Sequence, residues 1–224
     1  MIFQVPYGKT IKQIDSHKFM DIAMPLNTAI DAAKAWYVGP VKIDPVVIDD
    51  WVGSVRSGAP VNFYDIFFNP HGNGTHTECL GHISPEKHSV TEHIKDFFFW
   101  TELISVQPQK QSNGDSVITM EDIQKCRKHP ETEGIIIRTL PNGPEKLKRQ
   151  YSNSNPPYLD HRAAQWMREQ GIKHLLIDLP SVDREVDEGR LLAHHAFWNY
   201  PNKPRFDASI TELVYVPQDI EDGL

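Results

Sequence analysis

The chain has few cysteines and no long apolar run, and each absence excludes a class of protein. Its 224 residues include only two cysteines, Cys79 and Cys126, which are too few for a disulfide framework. No apolar stretch approaches the roughly 20 residues that cross a bilayer, and the N-terminus lacks the apolar core of a secretory signal. We therefore expect a protein of a reducing compartment, the cytoplasm, with no membrane partner.

The chain also lacks a basic run, an internal repeat and an obvious interdomain linker. Its formal net charge is −7, with acidic and basic residues interspersed, so we expect no nucleic-acid partner. Hydrophobic residues make up 39% of the chain and charged residues 24%, as in ordinary soluble globular proteins. A chain of this length can bury a large core, and we expect a single domain over residues 1–224.

The residue pattern predicts strands first and helical crossovers later. Runs of β-branched, aromatic and other apolar residues predict strands at 19–26, 41–51 (with a bend at Pro45), 61–68, 103–106, 134–140, 174–179 and 209–216. Capping residues and spacing predict helices at 120–128, 161–170 and 190–198, and a proline-rich surface loop is expected over 141–157. The predicted strand, helix and strand between residues 134 and 179 make a crossover unit. Its two strands are expected to be parallel, with functional loops after the end of each strand. This order predicts a mixed α/β domain.

Residues 69–83, N-P-H-G-N-G-T-H-T-E-C-L-G-H-I, hold the densest group of candidate ligands. His71, His76, Glu78 and His82 offer the imidazole and carboxylate groups that zinc and manganese bind. The three glycines among them permit tight turning of the backbone. If residues 76–82 are extended, His76, Glu78, Leu80 and His82 project to one side of the strand. The stretch therefore predicts a metal site.

The segment G-T-H-x-E-x-x-x-H resembles the signature H-x-G-T-H-x-D-x-P-x-H of the cyclase-like metal-dependent hydrolases, a family that includes bacterial kynurenine formamidase and isatin hydrolase. Three more segments fall in the family's order. D-I-A-M-P-L at 21–26 resembles its opening D-I-S-x-P-L, and L-L-I-D-L-P-S-V-D at 175–183 resembles its G-I-D-x-x-S-V-D. The pair Ala193-His194, followed by I-T-E-L at 210–213, resembles its late histidine and glutamate. The resemblance spans roughly residues 19–216.

The resemblance implies a fold, a reaction and a ligand set. The family's fold is a swivelling β/β/α domain with a mixed sheet that usually forms homodimers or homotetramers. Its activity is the hydrolysis of a C–N bond in a small amide, formamide (arylformamidase-like) or lactam, by water activated on one or two zinc or manganese ions. Carried over by position, His76, Glu78, His194 and Glu212 would be metal ligands. His82 would be the catalytic histidine.

The chain departs from the family pattern at several positions. The signature's first histidine falls on Gly72, and His71 lies one residue upstream; a bulge that absorbed the extra residue would restore this ligand. Glu78 stands where the family has aspartate, and its side chain is one methylene longer. A Glu78 carboxylate that bridged two ions would therefore need a displaced backbone. Leu80 replaces a proline. The chain stops at Leu224, where family members commonly continue into another strand, which indicates either a shortened C-terminal edge or a truncated chain.

Other interpretations of the same residues stay open. A member that lost its first ligand at position 72 would be a non-catalytic or metal-poor binding or structural protein. Alternatively, Cys79 with His76 or His82 would form a thiol-dependent hydrolase, although Cys79 is expected to be a small core residue. His195 is an alternative to His194, because adjacent helical residues point about 100° apart.

Four further positions have two interpretations each. Ser181 and Asp183 either orient metal ligands from behind or cap the next turn. Trp36 and Tyr37 lie where family members place aromatic residues near the substrate entrance, and packing in the core or between subunits would suit them equally.

Overall fold

A five-stranded sheet lies at the centre of the computed structural model, which describes residues 1–224. The strands are β1 (Ile2–Tyr7), β2 (Thr10–Asp15), β3 (Lys42–Pro45), β4 (Val47–Ile48), β5 (Trp51–Val52), β6 (Tyr64–Phe67), β7 (His76–Glu78), β8 (Thr101–Val106), β9 (Gln109–Lys110), β10 (Ser116–Ile118), β11 (Gly134–Thr139), β12 (Tyr158–Leu159), β13 (His174–Ile177) and β14 (Ser209–Glu212). The α-helices are α1 (Pro70–Asn73), α2 (Val90–His93), α3 (Met120–Cys126), α4 (His161–Glu169) and α5 (Leu192–Trp198), and 3₁₀ turns cover Val55–Ser57, Leu80–His82 and Pro144–Lys148.

The central sheet has the order β7-β14-β13-β11-β8. Strands β8, β11, β13 and β14 are parallel, and β7 joins the edge antiparallel to β14. Ile135 and Ile137 of β11 and Leu175 and Ile177 of β13 are fully buried, as expected for central strands covered on both faces. The main core packs these strands against side chains of α3, α4 and α5. The predicted mixed α/β class is confirmed.

The predicted crossover region is confirmed, with shorter elements. Helix α3 begins after Thr119, whose hydroxyl accepts the Asp122 N–H while the Asp122 carboxylate accepts the Thr119 N–H. Helix α4 begins after Asp160, whose carboxylate accepts the N–H of Arg162. Both caps satisfy backbone donors that the first helical turn leaves free.

The predicted strand at 19–26 is wrong. Only the isolated bridge between Ala23 and Val214 is present there. The Asp21 carboxylate accepts the N–H of Ala23, and Pro25 has no N–H to donate, so the segment lacks the donors of a regular ladder. The predicted strand at 41–51 divides at Pro45 into β3 and β4, and the one at 61–68 shortens to β6.

The prediction that 141–157 is a surface loop is also wrong in part, because Asn142, Lys146 and Tyr151 are buried. Lys146 donates to the Asp178 carboxylate at 2.6 Å and to the carbonyl and hydroxyl oxygens of Thr139. Burial raises the pKa of Asp178 and lowers that of Lys146, and the charge of each partner opposes the other's shift. This ion pair fixes the segment to the carboxyl ends of β11 and β13.

The C-terminal residues lie against the opposite edge strand, β8. Gly223 pairs with Leu103, and the guanidinium of Arg138 donates to the Asp222 carboxylate and to the carbonyls of Pro217 and Ile220. None of the helices is long and apolar enough to cross a membrane, and α4, with nine residues, is the longest.

We expect Lys146→Met to destabilise the fold by about 3–5 kcal/mol, because it leaves the buried Asp178 carboxylate without its counter-charge. Urea unfolding followed by far-ultraviolet circular dichroism measures the change. Lys148→Met is the matched control, since Lys148 lies in the same 3₁₀ turn but pairs with Asp31 in solvent. Equal unfolding midpoints for the two variants would contradict the importance of the buried pair.

Candidate metal centre

The edge strand β7 places two of the predicted ligands beside a third. His76 is paired in register with Glu212 of β14, and its Nε2 lies 3.5 Å from Glu212 Oε2. Glu78 follows at period two on the same face of the strand. It is 5% exposed. Pairing of β7 with β14 therefore brings together residues that are more than 130 positions apart in sequence.

Helix α1, and not the expected bulge, accommodates the extra residue between His71 and His76. The Asn69 side chain accepts the N–H of Gly72, and the Asn73 side chain accepts the N–H of Asn69. Gly72 packs so closely that an added Cβ would lie 2.5 Å from a Val38 methyl carbon. This turn places His71 Nδ1 3.5 Å from Glu78 Oε2.

The expectation that residues 76–82 form one extended row is wrong. Strand β7 ends at Glu78, and a 3₁₀ turn over Leu80–His82 follows. Leu80 enters the main core, and Gly81 packs where a Cβ would lie 2.2 Å from the His88 carbonyl oxygen. The turn nevertheless returns His82 to the cluster, with Nδ1 3.2 Å from Glu78 Oε2.

Helix α5 contributes His194, which is 1% exposed. Its Nε2 lies 2.9 Å from Glu78 Oε1 and 3.7 Å from Glu212 Oε1. The neighbouring His195 instead places Nδ1 3.2 Å from the Tyr200 carbonyl. Of the two histidines left open by the sequence, His194 is the one in the cluster.

Asp183 lies behind His194 and has both of the roles expected from the sequence: it orients the candidate ligand His194 and caps the following helix α5. Its carboxylate is 2.6 Å from His194 Nδ1 and accepts the backbone N–H groups of Ala193 and His194 in the first turn of α5. Ser181 accepts the N–H of Asp183 and has no contact with the imidazole. A carboxylate on Nδ1 fixes the ring orientation and leaves Nε2 directed at the cluster.

The buried charges shift one another's pKa. Burial would lower the pKa of His194, but hydrogen bonds to Asp183 and Glu78 raise it to about 10. Burial would raise the pKa of Glu78, and its contacts with His194 and His71 lower it to about 2. Burial and the Glu78 charge raise the pKa of Glu212. In the metal-free form His194 therefore carries a proton, which a metal ion would displace.

The donor set fits a divalent metal ion. Two groups of ligand atoms share Glu78, one with His71 and His76 and the other with His82 and His194, and within each group the atoms lie within 4.8 Å of one another. Glu78 Oε2 and His76 Nε2 are buried and have no hydrogen-bond partner. Such atoms cost free energy unless a further group satisfies them, and a cation among imidazoles and carboxylates would do so.

Trp36 and Tyr37 lie in the loop before β3, both with positive φ (55° and 59°). The Ala35 N–H donates to the Gly72 carbonyl, which places this loop beside the turn that carries His71. Trp36 packs against a small buried cluster, whereas Tyr37 is 65% exposed and its hydroxyl contacts Asn153 and Glu185.

The contacts that Thr75 and Val182 make at the site were not predicted from the sequence. The Thr75 hydroxyl donates to the Leu213 carbonyl and accepts the Met24 N–H at 2.7 Å, which ties the start of β7 to the end of β14. The backbone N–H of Val182 donates to Glu212 Oε1 at 2.9 Å. A structural role for Thr75 could have been predicted, because it lies inside the G-T-H motif. The contact of Val182 could not, because every residue except proline has a backbone N–H and the residue type therefore carries no signal.

We expect Asp183→Asn to weaken zinc binding by about 10- to 100-fold, because the amide cannot hold His194 in the same protonation state and orientation. Competition with a chromogenic chelator measures the dissociation constant. Ser181→Ala, which removes only an acceptor for the Asp183 N–H, should change it much less. An equal loss in both variants would mean that the turn as a whole, and not the carboxylate, orients the ligand.

Comparison with solved structures finds a similar overall fold in other proteins. Isatin hydrolase A from Labrenzia aggregata, bound to benzyl benzoate, is 14% identical; the match covers 91% of this chain and 83% of that chain, with a TM-score of 0.59. A predicted metal-dependent hydrolase from Bacillus stearothermophilus is also 14% identical, with 91% and 85% covered and a TM-score of 0.55. An isatin hydrolase bound to the product analogue thioisatinate is 10% identical, with 91% and 82% covered and a TM-score of 0.58.

No curated protein matches the chain by sequence. The family model named Cyclase matches residues 8–184, which include β7, the 3₁₀ turn that carries His82 and the segment that ends at Asp183. Since this match covers most of the chain, the protein belongs to the Cyclase family.

Proposed function

We propose that the protein is a metal-dependent hydrolase of the cytoplasm that cleaves a C–N bond of a small amide, a formamide (as an arylformamidase does) or a lactam. The observation that carries the proposal is the convergence of four imidazoles on Glu78, with Glu78 Oε2 and His76 Nε2 buried and without a hydrogen bond. Membership of the Cyclase family and the hydrolases among its structural neighbours support the reaction class. Both cysteines are free thiols, in keeping with a reducing compartment.

We assign five side chains as metal ligands: His71, His76, Glu78, His194 and Glu212. A bound zinc or manganese ion supplies a water of lowered pKa and a Lewis acid that polarises the scissile carbonyl. Beside the group of His71, His76 and Glu78, His194 and Glu212 add further donors next to Glu78, so the set has donors for one or two ions. Asp183 and the Val182 N–H hold His194 and Glu212 in place from behind.

His82 is the residue assigned to proton transfer. Its side chain is 30% exposed, far more than His76 or His194, so it faces the solvent side of the cluster. Burial lowers the pKa of His82, although the charge of Glu78 opposes this shift. The lowered pKa keeps the imidazole neutral near pH 7. A neutral imidazole can take the proton of the attacking water and return it to the leaving nitrogen as the C–N bond breaks.

The alternatives have less support. A metal-poor protein that lost its first ligand at position 72 would not be expected to place His71 beside Glu78. A thiol mechanism would need Cys79 near an imidazole, but Cys79 is 3% exposed and its sulfur donates to the His88 carbonyl. The Glu78 cluster therefore supports a metallohydrolase best.

We expect protein purified without chelators to contain near-stoichiometric zinc or manganese, and His71→Ala and His76→Ala to lose most of it. Elemental analysis measures the metal content. His161→Ala is the control, because His161 is half-exposed on α4, where it pairs with Asp160 outside the cluster. A wild type that holds neither metal, even after soaking with both ions, would contradict the proposal.

We expect His82→Ala to lower kcat by about 100- to 10,000-fold while metal content is retained, since it removes the proton-transfer group. Chromatography of products from a panel of aryl formamides, small amides and lactams measures turnover. Cys79→Ser should stay within a few-fold of wild type. An inactive Cys79→Ser variant whose wild-type parent is unaffected by chelation would instead support the thiol mechanism.

A further inference from the structure

Two histidines outside the Glu78 cluster, His88 and His93, have ring nitrogens in direct contact. His88 Nδ1 lies 3.0 Å from His93 Nε2, and the two rings are inclined by 60° with their centroids 5.0 Å apart. Neither residue belongs to the groups of donors around Glu78. We call these two residues the histidine pair. The chain therefore has a second, separate place at which two imidazoles meet.

The local sequence H-S-V-T-E-H at 88–93 builds the histidine pair. Ser89 caps helix α2, because its hydroxyl accepts the N–H of Thr91 while its own N–H donates to the Glu92 carboxylate. The single helical turn between this cap and the last residue of α2 brings the ring of His93 beside that of His88. The capping box thus fixes the spacing of the two imidazoles through the residues between them.

Tertiary contacts hold the histidine pair from behind. The ring of Phe206, in the segment between α5 and β14, has its centroid 5.0 Å from each imidazole. The His88 carbonyl accepts the Cys79 thiol at 3.5 Å, and Gly81 packs directly against the same carbonyl. Both histidines are only half-buried. The pair is therefore held in place and is still reachable from solvent.

The distance between the two nitrogens fits a metal chelate. Imidazole nitrogen is a ligand for copper, nickel and zinc. With metal–nitrogen distances of about 2.0–2.1 Å, nitrogens 3.0 Å apart subtend an angle of about 95° at the ion. This angle suits adjacent positions of a square-planar ion, such as copper(II), better than the tetrahedral arrangement of structural zinc. Copper(II) is also the divalent ion that such ligands bind most tightly.

We propose that His88 and His93 bind a divalent transition-metal ion, copper(II) most tightly, at a site separate from the Glu78 cluster. Both bind as neutral imidazoles through the nitrogens that face each other, so the hydrogen between the rings moves to the other nitrogen of its own ring. No third histidine, cysteine or carboxylate completes a group with them, and water fills the remaining positions. The site does not depend on the reaction or on metal binding at Glu78.

Equilibrium dialysis against copper(II) chloride, followed by elemental analysis, counts the bound ions. Wild type should bind one more copper ion than His88→Gln or His93→Gln, and competition with a chelator should show that ion about 100-fold or more weaker in either variant. The reason is that a single imidazole lacks the gain of a second, linked ligand. His161→Gln is the matched control, since His161 is half-exposed and pairs with Asp160 instead of a second imidazole.

The same comparison in a His76→Ala background separates this site from the Glu78 cluster. His76→Ala should still bind one more copper ion than the double variant with His93→Gln, whether or not the Glu78 cluster holds metal. A failure of the proposed hydrolase site therefore leaves this result unchanged.

Chemical modification of the wild-type chain tests the ligands if the glutamine variants fail to fold. Saturating copper(II) should slow the reaction of His88 and His93 with diethyl pyrocarbonate by at least about tenfold, because a metal-bound nitrogen has no free lone pair. The modification rate of His161 should stay unchanged. Mass spectrometry of the resulting peptides measures all three rates.

Equal numbers of bound copper ions in wild type and both glutamine variants overturn the proposal. So do unchanged modification rates of His88 and His93 in the presence of copper(II), because the histidine pair would then be a hydrogen-bonded contact that only holds α2. Loss of the same ion in His161→Gln also overturns it, since the ion would then lie elsewhere.

Discussion

The carboxylate of Glu78 is the group on which the rest of the site depends. It is a buried charge on a three-residue edge strand, and burial alone would raise its pKa. Contacts from His194 and His71 keep it ionised, and His82 lies as close. A buried carboxylate is retained at low cost only when it is paired. The site around Glu78 therefore favours positive charge. Without a metal ion the protonated His194 supplies this charge, and a bound metal ion would replace it.

The parallel sheet supplies the positions from which Glu78 is paired. Strand β14 places Glu212 opposite His76, and the turn that follows β13 directs the Val182 N–H at Glu212 and the Asp183 carboxylate at His194. The segments after β11 and β13 are held in turn by the ion pair between Lys146 and Asp178. The short backbone segment 178–183 therefore connects the buried ion pair to the groups that hold Glu212 and His194.

The same sheet leaves the N-terminal third of the chain with little to pack against. The first two hairpins, β1 with β2 and β3 with β6, pair only within themselves, and most of their side chains are exposed. The second hairpin leads directly into α1 and His71, the most exposed of the assigned ligands. The exposed second hairpin is thus adjacent along the chain to the candidate ligand His71.

The sequence by itself determined the elements whose signals are local. Uninterrupted apolar runs predict β11 and β13, because a strand buried on both faces needs them, and Thr119 and Asp160 mark helix starts through contacts within one turn. It also determined the types of the candidate ligands, because imidazoles and carboxylates at motif spacing can be recognised without coordinates. Only the tertiary structure decided that residues 80–82 turn back, that α1 absorbs one residue and that His194, not His195, meets Glu78. Those outcomes depend on packing between residues distant in sequence, such as Leu80 in the core and Gly81 against His88, and no local pattern encodes such contacts.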